Sequence, residues 1–539
     1  MKRLKHLLFL SVLALSCSQQ AHAVKAFPKP IRVVQPDGTT LMVQLVGDEG
    51  SHYTTTLDGF MIQKNREGFF CYVAYDADKG QRTVTSQRVH PVKERNADEK
   101  ALVSGLMKGR EISKDEHKRF GRKVLQPQQL LSPKVLNPQR RAKVSEQRSV
   151  ESHYLVVLVN FADSTFRFTH DDFDAWLNEE GYSKNGATGS VRDYYADNSM
   201  QQYVPNFHVV GPYTLAHPTA YYAGNDASGS DQDPRAMVKE ACLLAKQNNP
   251  ELNFGIFDND GDGLIDNCYI IYAGYSEAST ANDDDMWPHS WYMGDDKFNI
   301  DGVTINNYSC SAELVGQPGL PLLPTMDGIG TFTHEFGHVL GLKDMYDTDD
   351  YVGGYGIDPG SYSLYASGSY NNNSRTPPYL MAFERMQLGW MVEGSPAADL
   401  KLLNKPEDVQ LPSLATNAAR YIDCQPQREA GTGRELMIVE NRQKTGWDKY
   451  IPAHGLLIYH YDYTDEMVEK YWSVNGPNNN ASHRCMYIKA ADGSDDNTSR
   501  SGDTYPGSSA NTEFTDTSVP NALNWAGKPT NVPLTNITE

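Results

Sequence analysis

Residues able to hold a cation and move a proton are concentrated between Gly328 and Asp344. His334 and His338 stand four apart, so on a helix both imidazoles leave one face and can bind the same ion. Glu335 adjoins the first of them. From there it can take a proton from a water held by that ion and pass it to a leaving amine. Asp344 can swing round as a third ligand once Gly341 has ended the helix by adopting a left-handed conformation. Three protein ligands leave a fourth position open for water, as zinc hydrolysis requires. Two surface histidines on an ordinary helix would share the HExxH spacing, but not Gly341 and Asp344 at their offsets. Asp347 is a second candidate for the third ligand.

A second constellation is acidic. Asp258, Asp260, Asp262 and Asp266 surround Gly263, and Leu264 can add its carbonyl, which makes an oxygen cage suited to Ca²⁺. The glutamate that closes an EF-hand at position 12 is replaced by Tyr269, so this is an EF-like loop leading into a strand. The plainer alternative is a solvated acidic turn. Four clustered carboxylates would repel one another without a cation, which favours a structural calcium that braces the domain. His289, His454 and His460 are expected in structural roles, with the cleft wall as a second option for His289. Cys71 sits in a strand-like run, Phe69-Phe70-Cys71-Tyr72-Val73, which argues against a thiolate that caps the zinc.

These residues need a frame. Residues 24 to about 100 alternate apolar and polar between turn signals such as Pro36-Asp37-Gly38, predicting a small domain of antiparallel strands. From about 100 to 150 charge dominates and the apolar pattern weakens. That stretch reads as a linker or exposed helix and, more sharply, as a pro-segment hinge with Arg140-Arg141 near its end. The run Tyr154 to Val159 predicts a buried strand, as does Cys268 to Ala273. Helices are expected near 171–180, from the N-cap Ser190 through Tyr195, and over 235–247. This alternation predicts an α+β or α/β catalytic domain over 151–395. From 396 to 539, runs such as Leu436 to Val439 and Gly455 to Tyr459 predict a β-rich C-terminal domain.

The first 23 residues have the parts of an export signal: cations at Lys2, Arg3 and Lys5, an apolar run from Leu7 to Leu15, and Ala21-His22-Ala23 for cleavage. The run is too short to span a bilayer, and no later stretch is long enough. A secreted protein is expected, with a lipid anchor on Cys17 as the alternative. The formal charge of −19 works against nucleic-acid binding. The six cysteines after Cys17 are scattered and do not form a disulfide framework.

The pattern HExxHxxGxxD resembles the long zinc signature of metzincin-type peptidases, with Asp344 in place of the usual third histidine. Segments Ser190 to Tyr195, Asp258 to Asp266, Trp287 to Trp291, Leu388 to Trp390, Glu440 to Gln443 and His454 to His460 resemble blocks of the immune inhibitor A family of secreted bacterial metallopeptidases. The resemblance implies a zincin-like catalytic domain, one catalytic Zn²⁺, at least one structural Ca²⁺ and protein or peptide substrates. It also implies a pro-region at 24–150 that would inhibit the enzyme. One departure stands out: Tyr365 occupies the position aligned with the metzincin Met-turn methionine. A catalytically silent exported binding protein and a zinc hydrolase of small peptides are the alternatives. Retention of the full motif argues against the first.

Overall fold

A computed structural model describes residues 22–120, 152–226, 229–349, 356–428, 433–495 and 500–539. Most of the leader read at 1–23, including Cys17, and the Arg140-Arg141 pair lie outside the described residues. The architecture is mixed α/β with several sheets.

A two-residue strand β1 (His22–Ala23) precedes an antiparallel meander of β2 (Ile31–Val34), β3 (Thr40–Asp48), β4 (Ser51–Thr56), β5 (Met61–Lys64), β6 (Phe70–Asp76) and β7 (Gln81–Arg88). Alternation lets the meander bury both faces. Ile31, Leu41, Val43 and Phe70 face Trp287 and Ala278 further along the chain, while Tyr53, Met61 and Val73 pack on Ile112. Ile112 belongs to α2 (Gly109–Phe120), which follows α1 (Ala97–Ser104). The weak apolar pattern after residue 100 therefore conceals helices docked on the sheet, and a linker can begin only after Phe120.

The next sheet has the order β1-β11-β14-β10-β8-β9, built from β8 (Ser152–Asn160), β9 (Pro205–Thr214), β10 (Cys268–Tyr275), β11 (His289–Tyr292) and β14 (Asn307–Leu314), with the hairpin β12 (Phe298–Ile300) and β13 (Val303–Ile305) beside it. Strands β9, β8, β10 and β14 run parallel, and β11 is antiparallel to β14. The continuous apolar run in β8 is explained by helices on both faces. Tyr154, Val156 and Leu158 face α3 (His170–Asn178), α4 (Val191–Asn198) and α6 (Ile329–Val339), whereas Leu155, Val157 and Val159 face α5 (Pro234–Asn248). Ser190 caps α4 in a capping box with Asp193, as its sequence position predicted.

The last sheet runs β15 (Asp399–Leu402), β16 (Ala418–Asp423), β17 (Arg434–Arg442), β18 (Gly455–Tyr463) and β19 (Met486–Ile488) in sequence order. One face of β17 and β18 (Leu436, Ile438, Leu457, Tyr459) joins the core that buries α6. The other (Met437, Val439, Ile458) is covered by Phe514, Ala522 and Ile537. The predicted boundary near 395 is thus crossed by a shared core. All six described cysteines are buried free thiols, with the Sγ atoms of Cys242 and Cys268 3.3 Å apart. Among the described residues no helix is long and apolar enough to cross a membrane.

Candidate metal centre and cleft

Helix α6 is anchored by aromatic packing. Phe332 stacks on Tyr269 of β10 at 3.8 Å between centroids, and Phe336 meets Tyr154, Tyr195 and Phe207 edge-on. Both are fully buried, so truncating either to alanine costs about 3–5 kcal/mol. That packing turns the opposite side of the helix, with His334, Glu335 and His338, toward Leu364, Leu342 and the Val24 segment that fills the cleft there. Gly341 follows the helix at φ +102°, the conformation its position predicted, and the chain doubles back to Asp344.

The three expected zinc ligands come together. The Nε2 atoms of His334 and His338 are 3.1 Å apart, and Oδ1 of Asp344 lies 3.2 Å and 3.5 Å from them. Each Nδ1 is already engaged, that of His334 with the carbonyl of Leu364 and that of His338 with the carbonyl of Leu342, both at 2.9 Å. If each Nδ1 donates to its carbonyl, both Nε2 lone pairs point at one another and at a carboxylate. That arrangement is repulsive by itself and suits a cation at the convergence point. Burial pushes Asp344 up, but the two imidazoles outweigh it and hold the carboxyl well below its ordinary range. Burial likewise holds His338 below its usual value. For Glu335, burial and the carboxylates of Asp344 and Glu49 push the pKa well above normal. Oε2 of Glu335 is buried with no hydrogen-bond partner among the described residues.

Several supporting residues have no role assigned from the sequence, although Glu440 and Arg442 lie in one of the blocks that carry the resemblance. Asn475 clamps Asp344 from the C-terminal region, its Nδ2 donating to Oδ2 at 2.7 Å and its Oδ1 accepting the Asp344 N–H at 2.9 Å. Asn478 donates to the Met345 carbonyl, and Asn479 accepts the Thr348 N–H. Arg442, fully buried, grips both carboxylate oxygens of Asp448 at 2.6 Å and Glu440 at 2.9 Å. Those acids in turn accept the N–H groups of Tyr379 and Ala382, which fixes the chain beneath the centre. Tyr365 lies there too, with its ring 5.1 Å from that of His334 and 5.3 Å from that of His338. It fits because residue 337 is glycine: a Cβ at that position would sit 1.5 Å from the Tyr365 hydroxyl. Tyr365 packs beneath the two imidazoles, and Tyr370 reaches the N-terminal segment. Its hydroxyl donates to the Lys25 carbonyl at 2.6 Å.

That contact belongs to a strand-like segment lying across the centre. The backbone of β1 pairs antiparallel with β11, His22 opposite Ser290 and Ala23 opposite His289. The Val24 N–H then donates to Oε1 of Glu335 at 2.8 Å, and the Val24 carbonyl accepts from Nε1 of Trp287 at 3.0 Å. Trp287 is stacked on His52 of β4, whose Nε2 is 3.1 Å from the Glu277 carboxylate. Val24 and Ala26 are buried.

The other predicted residues fall as follows. Asp258, Asp260 and Asp262 bring ligand oxygens within 4.8 Å of one another at the surface. Asp258 accepts the N–H groups of Gly261, Asp262 and Gly263, and Asp262 accepts that of Leu264. Asp266 closes the loop outside that trio, accepting from Asn259, and Leu264 bridges to Thr304. His289 is structural, held by the Trp287 carbonyl and the Tyr308 hydroxyl. Cys71 is buried in β6 opposite Gln63, and His460 is buried against Glu435.

Residues 153–391 match the model of the immune inhibitor A peptidase M6 catalytic domain. "Immune inhibitor A" of Bacillus thuringiensis subsp. alesti is 28% identical over 254 residues, which is 40% of this chain and 36% of that protein. The "pre-pro-metalloprotease PrtV" of Vibrio cholerae serotype O1 (strain M66-2) is 30% identical over 224 residues, 36% of this chain and 23% of that protein. The aligned part thus spans roughly a third or less of the length of these relatives. The resemblance read from the motif and its flanking blocks holds over this stretch: residues 153–391 are similar to the catalytic domain of immune inhibitor A peptidases, and the relatives matched include one named a metalloprotease.

Proposed function

We propose that the chain is an exported zinc-dependent endopeptidase with a zincin-like catalytic domain, held inactive by its own N-terminal region. The observation that carries this is the buried meeting of two imidazole Nε2 atoms and one carboxylate, each with its outer atom already satisfied. His334, His338 and Asp344 would hold the zinc, which when bound supplies a Lewis acid that polarises the scissile carbonyl and acidifies water. Glu335 takes the proton of the attacking water and delivers it to the departing amine nitrogen. Trp287 and Tyr370 bind main-chain carbonyls of the peptide in the cleft, as they do those of Val24 and Lys25.

The same contacts support the inhibitory reading of residues 24–150. Val24 engages the general base, and the segment fills the ground a substrate backbone would need. Release would follow a cut in the stretch that contains Arg140-Arg141. The loop Asp258 to Asp266 is proposed to bind a structural calcium, supported by its converging carboxylates and its glycine turn. Secretion is proposed from the leader and from the secreted family that the catalytic domain joins. The test is casein hydrolysis by the full chain, nicked by limited proteolysis between residues 121 and 151. Loss of activity on zinc chelation and its return with zinc would support the reading. A nicked, folded chain that holds one zinc and cleaves neither casein nor short peptides would overturn it in favour of a silent binding protein.

A further inference from the structure

The segment in the cleft also shows what the cleft is shaped to hold. A general base that protonates a leaving amine must sit within hydrogen-bond reach of that nitrogen. The Val24 nitrogen occupies this place, 2.8 Å from Glu335, and after removal of the leader at Ala23 it would be the amino terminus of the exported chain. The register follows: Val24 stands where the residue just after the scissile bond would stand, and Lys25 one place further on. The Lys25 side chain has a built receptor. Its Nζ lies 2.9 Å from Oδ2 of Asp358 and 5.7 Å from the ring centre of Tyr346. Asp358 is only 5% exposed and is fixed in position, its Oδ1 accepting the Gly360 N–H at 2.8 Å and its carbonyl accepting from Arg500. The Arg500 guanidinium stands off at 3.9 Å from Oδ1, so the closest charge to this carboxylate comes from the segment in the cleft.

Departure of the N-terminal region would take Lys25 away and leave the buried Asp358 carboxylate with only the more distant Arg500, while Tyr346 stays beside it. From this we infer that Asp358 and Tyr346 form a subsite that selects substrates with lysine or arginine at the second residue after the cleaved bond. This rests on the peptidase reading above. A mere fastening between two parts of one chain would give no such preference.

The experiment uses the full chain nicked between residues 121 and 151. Casein fragments are sequenced by mass spectrometry, then quenched peptides are made that differ only at the second residue after the cut, as Lys, Arg, Gln or Glu. The expected kcat/KM for Lys and Arg is about tenfold above Gln, a typical advantage for a charge-assisted pair, with Glu lower still. In Asp358→Asn the Lys-to-Gln ratio should fall toward one. Should that variant fail to fold, Lys25→Glu in the intact chain should loosen the N-terminal region and raise residual activity before nicking. Casein cleaved with no basic preference at that position would overturn the subsite and leave the peptidase reading standing. A preference undiminished in Asp358→Asn would overturn it equally. A zinc-loaded nicked chain that cleaves nothing would remove both.

Discussion

The metal centre and the acidic loop are both clusters of ligand-type side chains, yet they are built by opposite means. In the acidic loop Asp260 and Asp262 are exposed, and Asp258 accepts backbone N–H groups only a few residues on, from Gly261 to Gly263. In the proposed metal centre all three candidate ligands are buried, and two of the outer atoms are held from further along the chain: Leu364 for His334 and Asn475, 131 residues away, for Asp344. The loop's acids are held from within the loop, while Thr304 and His153 fasten its backbone and Asn259 from outside. The clamp on Asp344 forms only when the C-terminal region has docked. A local cage suits a bracing cation that tolerates motion, whereas hydrolysis needs ligands and base fixed to fractions of an ångström.

Four experiments would break or sharpen this contrast. Glu335→Gln should lower activity by about 10²- to 10⁴-fold while one zinc per chain remains bound, because only the proton carrier is lost. Full activity in this variant would remove Glu335 from the mechanism. Asn475→Gly keeps the left-handed backbone at φ 53° while deleting the clamp on Asp344. Zinc affinity should weaken about 10- to 100-fold, read by competition with a chromogenic chelator. Unchanged affinity would mean that the distant clamp does not matter, and the comparison would fail at its centre.

The acidic loop should answer differently. Calcium at 100 times its Kd should stabilise the chain by about 2.7 kcal/mol, visible as a rise in Tm. Asp260→Asn should abolish that response while zinc content stays constant, since the loop takes no part in holding the zinc ligands. Calcium-dependent zinc loss would tie the two sites together. The smallest effect belongs to Tyr365, whose buried hydroxyl has no partner among the described residues. Tyr365→Phe should raise stability by about 1 kcal/mol in denaturant unfolding, by relieving an unsatisfied group. A loss of stability would mean that the hydroxyl has a role in the centre's floor.

Legibility followed the range of the interactions. His334, Glu335, His338, Gly341 and Asp344 lie within one helix turn or loop of each other, so their spacing already described a shared face and a reversal. The strands at β8 and β10 and the cap at Ser190 were readable for the same reason: period and capping are local. The stretch after residue 100 reads as a linker or an exposed helix, and the helix is what forms over Gly109–Phe120; its docking is not legible because Ile112 is buried amid charged neighbours.

What the sequence alone determined is the chemistry: two imidazoles, a carboxylate and a base, offset so that helix geometry must bring them together, and an acidic turn whose cage is its own backbone. The tertiary structure decided what surrounds them. Asn475, Tyr370 and Asp358 act on residues more than 60 positions away, and no periodicity marks them. Only the packed sheets could show that Val24 reaches Glu335 across 311 residues, because that contact depends on the N-terminal meander docking against Trp287.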